Sequence, residues 1–170
     1  VENLKKTVDG RTLFDKVTFS VNKNEKIAFI SKDPSAVTHF FDAINEITVA
    51  DAGKFEWGTT ITKAYLPVEN GEFFTEGLTL MDWLRQYVPA HVTDADEPFI
   101  RGFLGKMLFS GDDIMKKTNV LSGGEKVRCM VSRMMLQNPN LVILDQPTNH
   151  LDLESIQSFN EGCMTFPGVV

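Results

Sequence analysis

Apolar and polar positions change period several times along the chain, and each change marks an element. Residues 1–30 read as β, and within them Leu13-Phe14, Val17, Phe19 and Val21 alternate with polar residues, the period-two signal of a half-buried strand. Asp9-Gly10 before it and Asn22-Lys23-Asn24-Glu25 after it are turn signals. Residues 26–30, Lys-Ile-Ala-Phe-Ile, are nearly continuous in apolar character, which predicts a strand buried on both faces. Residues 31–38 read as a loop leading into a helix over 39–47, where Phe40, Phe41, Ile44 and Ile47 fall at helical spacing. Short Thr- and aromatic-rich runs at 53–57 and 59–66, divided by Gly58, predict two more strands.

The second half is helical. Leu80, Leu84 and Val88, with Trp83 and Tyr87, make one helical face, and 89–96 is a polar connection. Phe99, Phe103, Leu104, Met107 and Leu108 make a second helix, and Gly111-Asp112-Asp113 opens a short third. Residues 122–137 carry Val127, Met130, Val131, Met134 and Met135 on one face, and Asn138-Pro139-Asn140 ends that helix. An apolar strand at 141–145 and a helix from about 153 to about 162 follow. Strands alternating with helices predict an α/β fold with a mainly parallel sheet, an antiparallel β part and a helical subdomain. The division expected is a single unit over 1–170, with a core at 1–77 and 138–170 and a helical subdomain near 78–137.

Composition narrows the class. The chain has 170 residues, 42% hydrophobic and 24% charged, the profile of a globular domain with a real core. No apolar run approaches the ~20 residues needed to span a bilayer, and the polar start gives no leader pattern. A net charge of −6 argues against a large basic face for nucleic acid. Cys129 and Cys163 lack metal-ligand spacing and read as reduced structural thiols of a cytoplasmic protein. The first residue is not Met, and Gly168-Val169-Val170 reads as a strand just beginning, so a piece of a longer protein is expected.

Two stretches carry candidate chemistry. Leu121-Ser122-Gly123-Gly124-Glu125-Lys126 sets two glycines at a helix start, where bare N–H groups and the helix dipole attract phosphate. The plain alternative is a capping box, Ser122 with Glu125 three residues on. In the second stretch, Leu141-Val142-Ile143-Leu144-Asp145-Gln146-Pro147-Thr148-Asn149-His150-Leu151-Asp152, Asp145 ends an apolar strand. That is where phosphate chemistry holds Mg²⁺; the plain alternative is a turn-starting Asp before Pro147.

Together these stretches resemble the signature motif, and the Walker B strand with D-loop, of ATP-binding-cassette (ABC) ATPases. The Pro-Thr-Asn-His-Leu-Asp wording, with Glu-Lys after the signature glycines, resembles the ABC-F branch, and the compact span from Leu66 to Leu121 its second cassette. ABC-F proteins carry two cassettes in one soluble chain, lack transmembrane domains and mostly act on the ribosome. The resemblance implies ATP and Mg²⁺ as cofactors, a second cassette as partner and the ribosome as a further one. Each ATP would lie between the Walker A and B of one cassette and the signature of the other. Ser122, Gly123, Gly124 and Glu125, with Asp152 of the D-loop, would then serve the partner's ATP; Thr38 and Asp145 would meet this cassette's own Mg²⁺.

The departures all fall on this cassette's own site. The Walker A pattern G-x-x-x-x-G-K-[ST] lies over Ser31, Lys32, Asp33, Pro34, Ser35, Ala36, Val37 and Thr38. Both glycines and the Lys are replaced, Pro34 lacks an N–H, and only Thr38 matches. Val68 stands for the Q-loop glutamine, Val8 for the adenine-stacking aromatic and Gln146 for the catalytic Glu. A Gln amide orients water but takes no proton from it. Such a Gln is also a common engineered trap; Val37 and Val68 favour natural divergence. The switch histidine would fall past Val170, and His150 belongs to the D-loop. The expectation is a cassette with a degenerate Walker A and an intact signature, weak or inactive alone, that completes a partner's ATP site. The alternatives are an ATP-hydrolysing subunit of a membrane transporter and a non-catalytic cassette that binds no nucleotide.

Overall fold

Three antiparallel strands, β1 (Glu2–Val8), β2 (Arg11–Val17) and β3 (Ala52–Lys54), pair in the order β2–β1–β3 in the computed structural model, which describes residues 1–93, 96–149 and 151–170. Asp9 and Gly10 both take positive φ between Val8 and Arg11, as a two-residue hairpin requires. Gly53 is also required: its φ is positive, and a Cβ there would overlap the Asn3 carbonyl across the sheet. β1 has little apolar pattern. Only Leu4 is fully buried, and pairing on both edges makes the strand.

A second sheet is parallel. β4 (Lys63–Leu66) pairs with β5 (Leu141–Leu144), Lys63 opposite Leu141 and Leu66 opposite Leu144, and an isolated bridge adds Val169 on the far side of Leu141. Its two faces serve two cores. Ala64 and Leu66, with Val142 and Leu144, face a helical cluster built on Leu80, Trp83, Leu84, Ile100, Leu104 and Met130. Tyr65, Leu141 and Ile143 face Leu4, Phe40, Phe41 and Ile44. The helices are α1 (Pro34–Ile44), α2 (Leu80–Arg85), α3 (Glu97–Lys106), α4 (Gly123–Gln137) and α5 (Leu153–Thr165), with short 3₁₀ turns at Gly71–Phe74, Gly111–Met115 and Thr118–Val120. Asn138 closes α4 in the left-handed region, the usual helix stop. Both cysteines are free, and burial pushes the Cys129 thiol up to about 12, where it is inert.

The expected strand at 26–30 is not formed. Its ladder has one rung: Ile27 N–H donates to Val170 O at 2.8 Å, and Val170 N–H donates to Glu25 O at 3.1 Å. Beyond that rung residues 28–30 have no main-chain partner among the described residues, and Ile30 is 94% exposed. The segment instead lines a cleft of about 1040 Å³ that it shares with β5 and residues 167–170. The run at 53–57 keeps strand form only over β3, and that at 59–66 only over β4. The helix expected from 39 begins at Pro34, so the last five residues of the expected loop are its first turns. Asp33 caps it and Pro34 sits at its first position, where a missing N–H costs nothing.

Candidate functional site

The loop from Ser31 to Thr38 is held by its own polar groups. The Asp33 carboxylate accepts from Ser35 N–H at 3.0 Å and Ser35 Oγ–H at 2.7 Å, and Asp33 N–H donates to Ser31 Oγ at 3.1 Å. Arg11 closes on the other carboxylate oxygen at 3.0 Å. The Ser35 hydrogen bonds, more than Arg11, hold the Asp33 carboxyl below its ordinary range. The Asp33 carboxylate therefore caps the start of α1 and takes the Ser35 N–H, where a phosphate cradle offers free N–H groups. Ala36 is buried, and Val37 packs against the Leu4–Phe40 core rather than offering a cation. Lys32 is exposed. A phosphate arriving at this helix start would meet the Asp33 charge, with Val37 rather than a lysine beside it to offset that charge.

Asp145 is different. It follows the last residue of β5 at 1% exposure, and neither carboxylate oxygen has a hydrogen-bond partner among the described residues. Burial raises its pKa and Asp42 adds repulsion, while the neighbouring Thr38 hydroxyl works against both. Tyr65 donates to Asp42 at 3.1 Å, and burial beside these carboxylates raises its own pKa. Two unpartnered anionic oxygens beside a hydroxyl form a donor set that suits a hard divalent cation. Gln146 follows at φ 48°, its side-chain oxygen accepting from Asn149 Nδ2 at 3.1 Å. Asp145 and Gln146 border two clefts. The large one also touches Ser31, Pro34 and Val37. A smaller one of about 200 Å³ touches Val68, Gly123, Lys126 and Asn149.

The helix start at Ser122 is capped and still open to solvent. Ser122 Oγ accepts from Glu125 N–H at 3.3 Å; Glu125 Oε2 accepts from Ser122 N–H at 2.9 Å and from Ser122 Oγ–H at 2.8 Å. This is a complete capping box. Hydrogen bonds from the Ser122 backbone lead the causes that bring the Glu125 carboxyl down to about 2. Ser122 and Gly123 are exposed and Gly124 is half-buried at the start of this 15-residue helix.

Ser31, Pro34 and Val37 share a cleft with Asp145 and Gln146, and Gly123 meets the same pair across the small one. Asp152 caps α5, accepting from Ser155 N–H at 2.8 Å, and its carboxyl is lowered by that bond. Val8 ends β1 half-buried. His150 lies outside the described residues. The sequence reading missed the capping role of Asp33, which the Asp-Pro-Ser order signals. It also missed the Tyr65–Asp42 pair and Lys116, which come near the site only through the fold.

The chain matches the ABC transporter family over residues 14–149. It is 54% identical over 172 residues to an uncharacterized ABC transporter ATP-binding protein, YkpA, of Bacillus subtilis, covering 100% of this chain and 31% of the relative. It is 29% identical over 177 residues to the energy-dependent translational throttle protein EttA of Mycobacterium tuberculosis, covering 99% of the chain and 30% of EttA. The chain thus spans about a third of the length of these relatives. Among solved structures, an ABC transporter ATP-binding protein of Pyrococcus furiosus superposes with a TM-score of 0.79 at 17% identity, over 99% of this chain and 86% of that one; the likeness concerns the fold.

Proposed function

The chain belongs to the ABC transporter family, in its ABC-F-like branch, and from that premise we propose that it is one ATP-binding cassette of a longer protein and completes the ATP site of a partner cassette with the start of α4. The observation that carries this is the contrast between two helix N-termini. That of α4 opens outward through Ser122, Gly123 and Gly124. That of α1 is closed by Asp33, with Val37 where a lysine would reach phosphate. Residues 1–77 and 138–170 serve as the core, and residues 78–137 as the helical subdomain that presents the signature. The partner is a second cassette in the same full-length chain or in a second copy, with Asp152 at the interface.

At the partner's ATP, the N–H groups of Gly123 and Gly124 and the Ser122 hydroxyl bind and orient the terminal phosphate, where the helix dipole favours negative charge. On this cassette's own side, Asp145 with Thr38 would hold Mg²⁺, which when bound neutralises charge on phosphate oxygens. Gln146 orients water there but accepts no proton, so hydrolysis falls to the partner's site. The likeness to a translational throttle protein supports cytoplasmic work on the ribosome. Among the described residues no helix is long and apolar enough to cross a membrane.

The test uses the full-length protein. Ser122→Arg puts a bulky side chain where the partner's phosphate must land and abolishes ATP hydrolysis. Val37→Lys leaves the rate within about twofold, because Asp33 still holds the helix start. An unchanged rate in Ser122→Arg ends the proposal.

A further inference from the structure

The carboxylate that sets the signature geometry is also a liability. Glu125 binds the hydroxyl and the main-chain N–H of Ser122 through one oxygen, and so places a negative charge beside the helix start that is to receive an anion. Its other oxygen is taken. Lys116 Nζ lies 3.1 Å from Glu125 Oε1 and 2.8 Å from Asp113 Oδ1. The hydrogen bond to Asp113 and that to Glu125 keep the Lys116 ammonium charged.

Lys116 reaches Glu125 from another element and from a fixed backbone. It follows the 3₁₀ turn Gly111–Met115, and its carbonyl accepts from Leu80 N–H at 3.1 Å. The next residue, Lys117, forms an antiparallel bridge with Thr79, the N-cap of α2, and Thr118 N–H donates to Leu78 O at 2.8 Å. The residue is therefore anchored by main-chain bonds to the α2 end of the helical cluster while its side chain crosses to α4. With a 45% exposed side chain, it contributes little to core packing.

Resting on the reading that Ser122-Gly123-Gly124 serves a partner's ATP, we propose that Lys116 is a positioning residue of the signature: it fixes the Glu125 carboxylate so that one oxygen orients Ser122, and it offsets the Glu125 charge at the point where the γ-phosphate arrives. Without Lys116 the carboxylate remains at the helix start with its charge less offset. Anion binding there weakens while the chemistry of the bound complex is little altered.

The experiment measures steady-state ATP hydrolysis by the full-length protein carrying Lys116→Met, Lys116→Arg, Glu125→Gln, or Lys116→Met with Glu125→Gln, with Ser122→Arg as reference. Lys116→Met raises KM for MgATP about fivefold and leaves kcat within about twofold, the size of a screened charge effect at a helix start. Lys116→Arg restores KM. The double variant has a lower KM than Lys116→Met, since removing the carboxylate charge removes the need for its counter-charge. A KM unchanged in Lys116→Met, or a double variant no better than Lys116→Met, overturns the proposal. If Ser122→Arg is inactive while Lys116→Met is silent, the signature reading stands and this inference alone falls. If Ser122→Arg keeps the full rate, both fall.

Discussion

Asp145 costs stability through its burial. Its two carboxylate oxygens, at 1% exposure, have only the neighbouring Thr38 hydroxyl to set against the cost of desolvation. Without divalent cations, Asp145→Asn is expected to raise stability by about 1 kcal/mol, read by denaturant unfolding. Added Mg²⁺ should stabilise the native chain and not the variant; equal responses would contradict a cation site there. Glu125 works in the opposite sense. Its carboxyl has an ordinary value of 4.5 and falls to about 2 in the fold. A lowered carboxylate contributes stability above its unfolded value and loses it as pH falls through the folded one. The destabilisation caused by Glu125→Gln should therefore hold from neutral pH to about 4.5, then close between there and about 2. Unfolding free energies of both proteins across that range test the sign.

At the scale of elements, the helices and the β5 strand were legible, while strand ends and the segment at 26–30 were not. α4 carries Ser122 at its cap, an apolar face and Asn138 at its stop, all local signals. Residues 26–30 have the apolar composition of a buried strand, but a strand is made by its neighbours, and one main-chain rung is all they have. Amides of Ala28, Phe29 and Ile30 are expected to exchange hydrogen at nearly unprotected rates, while those of Tyr65, Leu66 and Ile143 are slow. Equal protection would mean that the segment is a paired strand in solution. β1 lies within the stretch 1–30 read as β although its residues are mostly polar, and its two flanking strands hold it in place. In the candidate site, the Ser-Gly-Gly start and the Asp145 strand end were visible as patterns. Lys116 was not, since it reaches Glu125 only through the bridge that anchors Lys117 to Thr79.

Across the whole molecule, the thin parallel sheet is the wall between two cores, and Asp145 stands at its end, bordering a cleft on either side. The sheet also spaces its strands far apart in the chain, for Thr62 and Asn140, at the threshold of β4 and β5, are 78 positions apart. On a ribosome adding 5–20 residues per second, β4 waits about 4–16 s for its partner strand. Ala64 and Leu66 must be sheltered meanwhile by whichever helices have already emerged. The order of synthesis thus makes α2 and α3 the first helices of their own core available to cover Ala64 and Leu66.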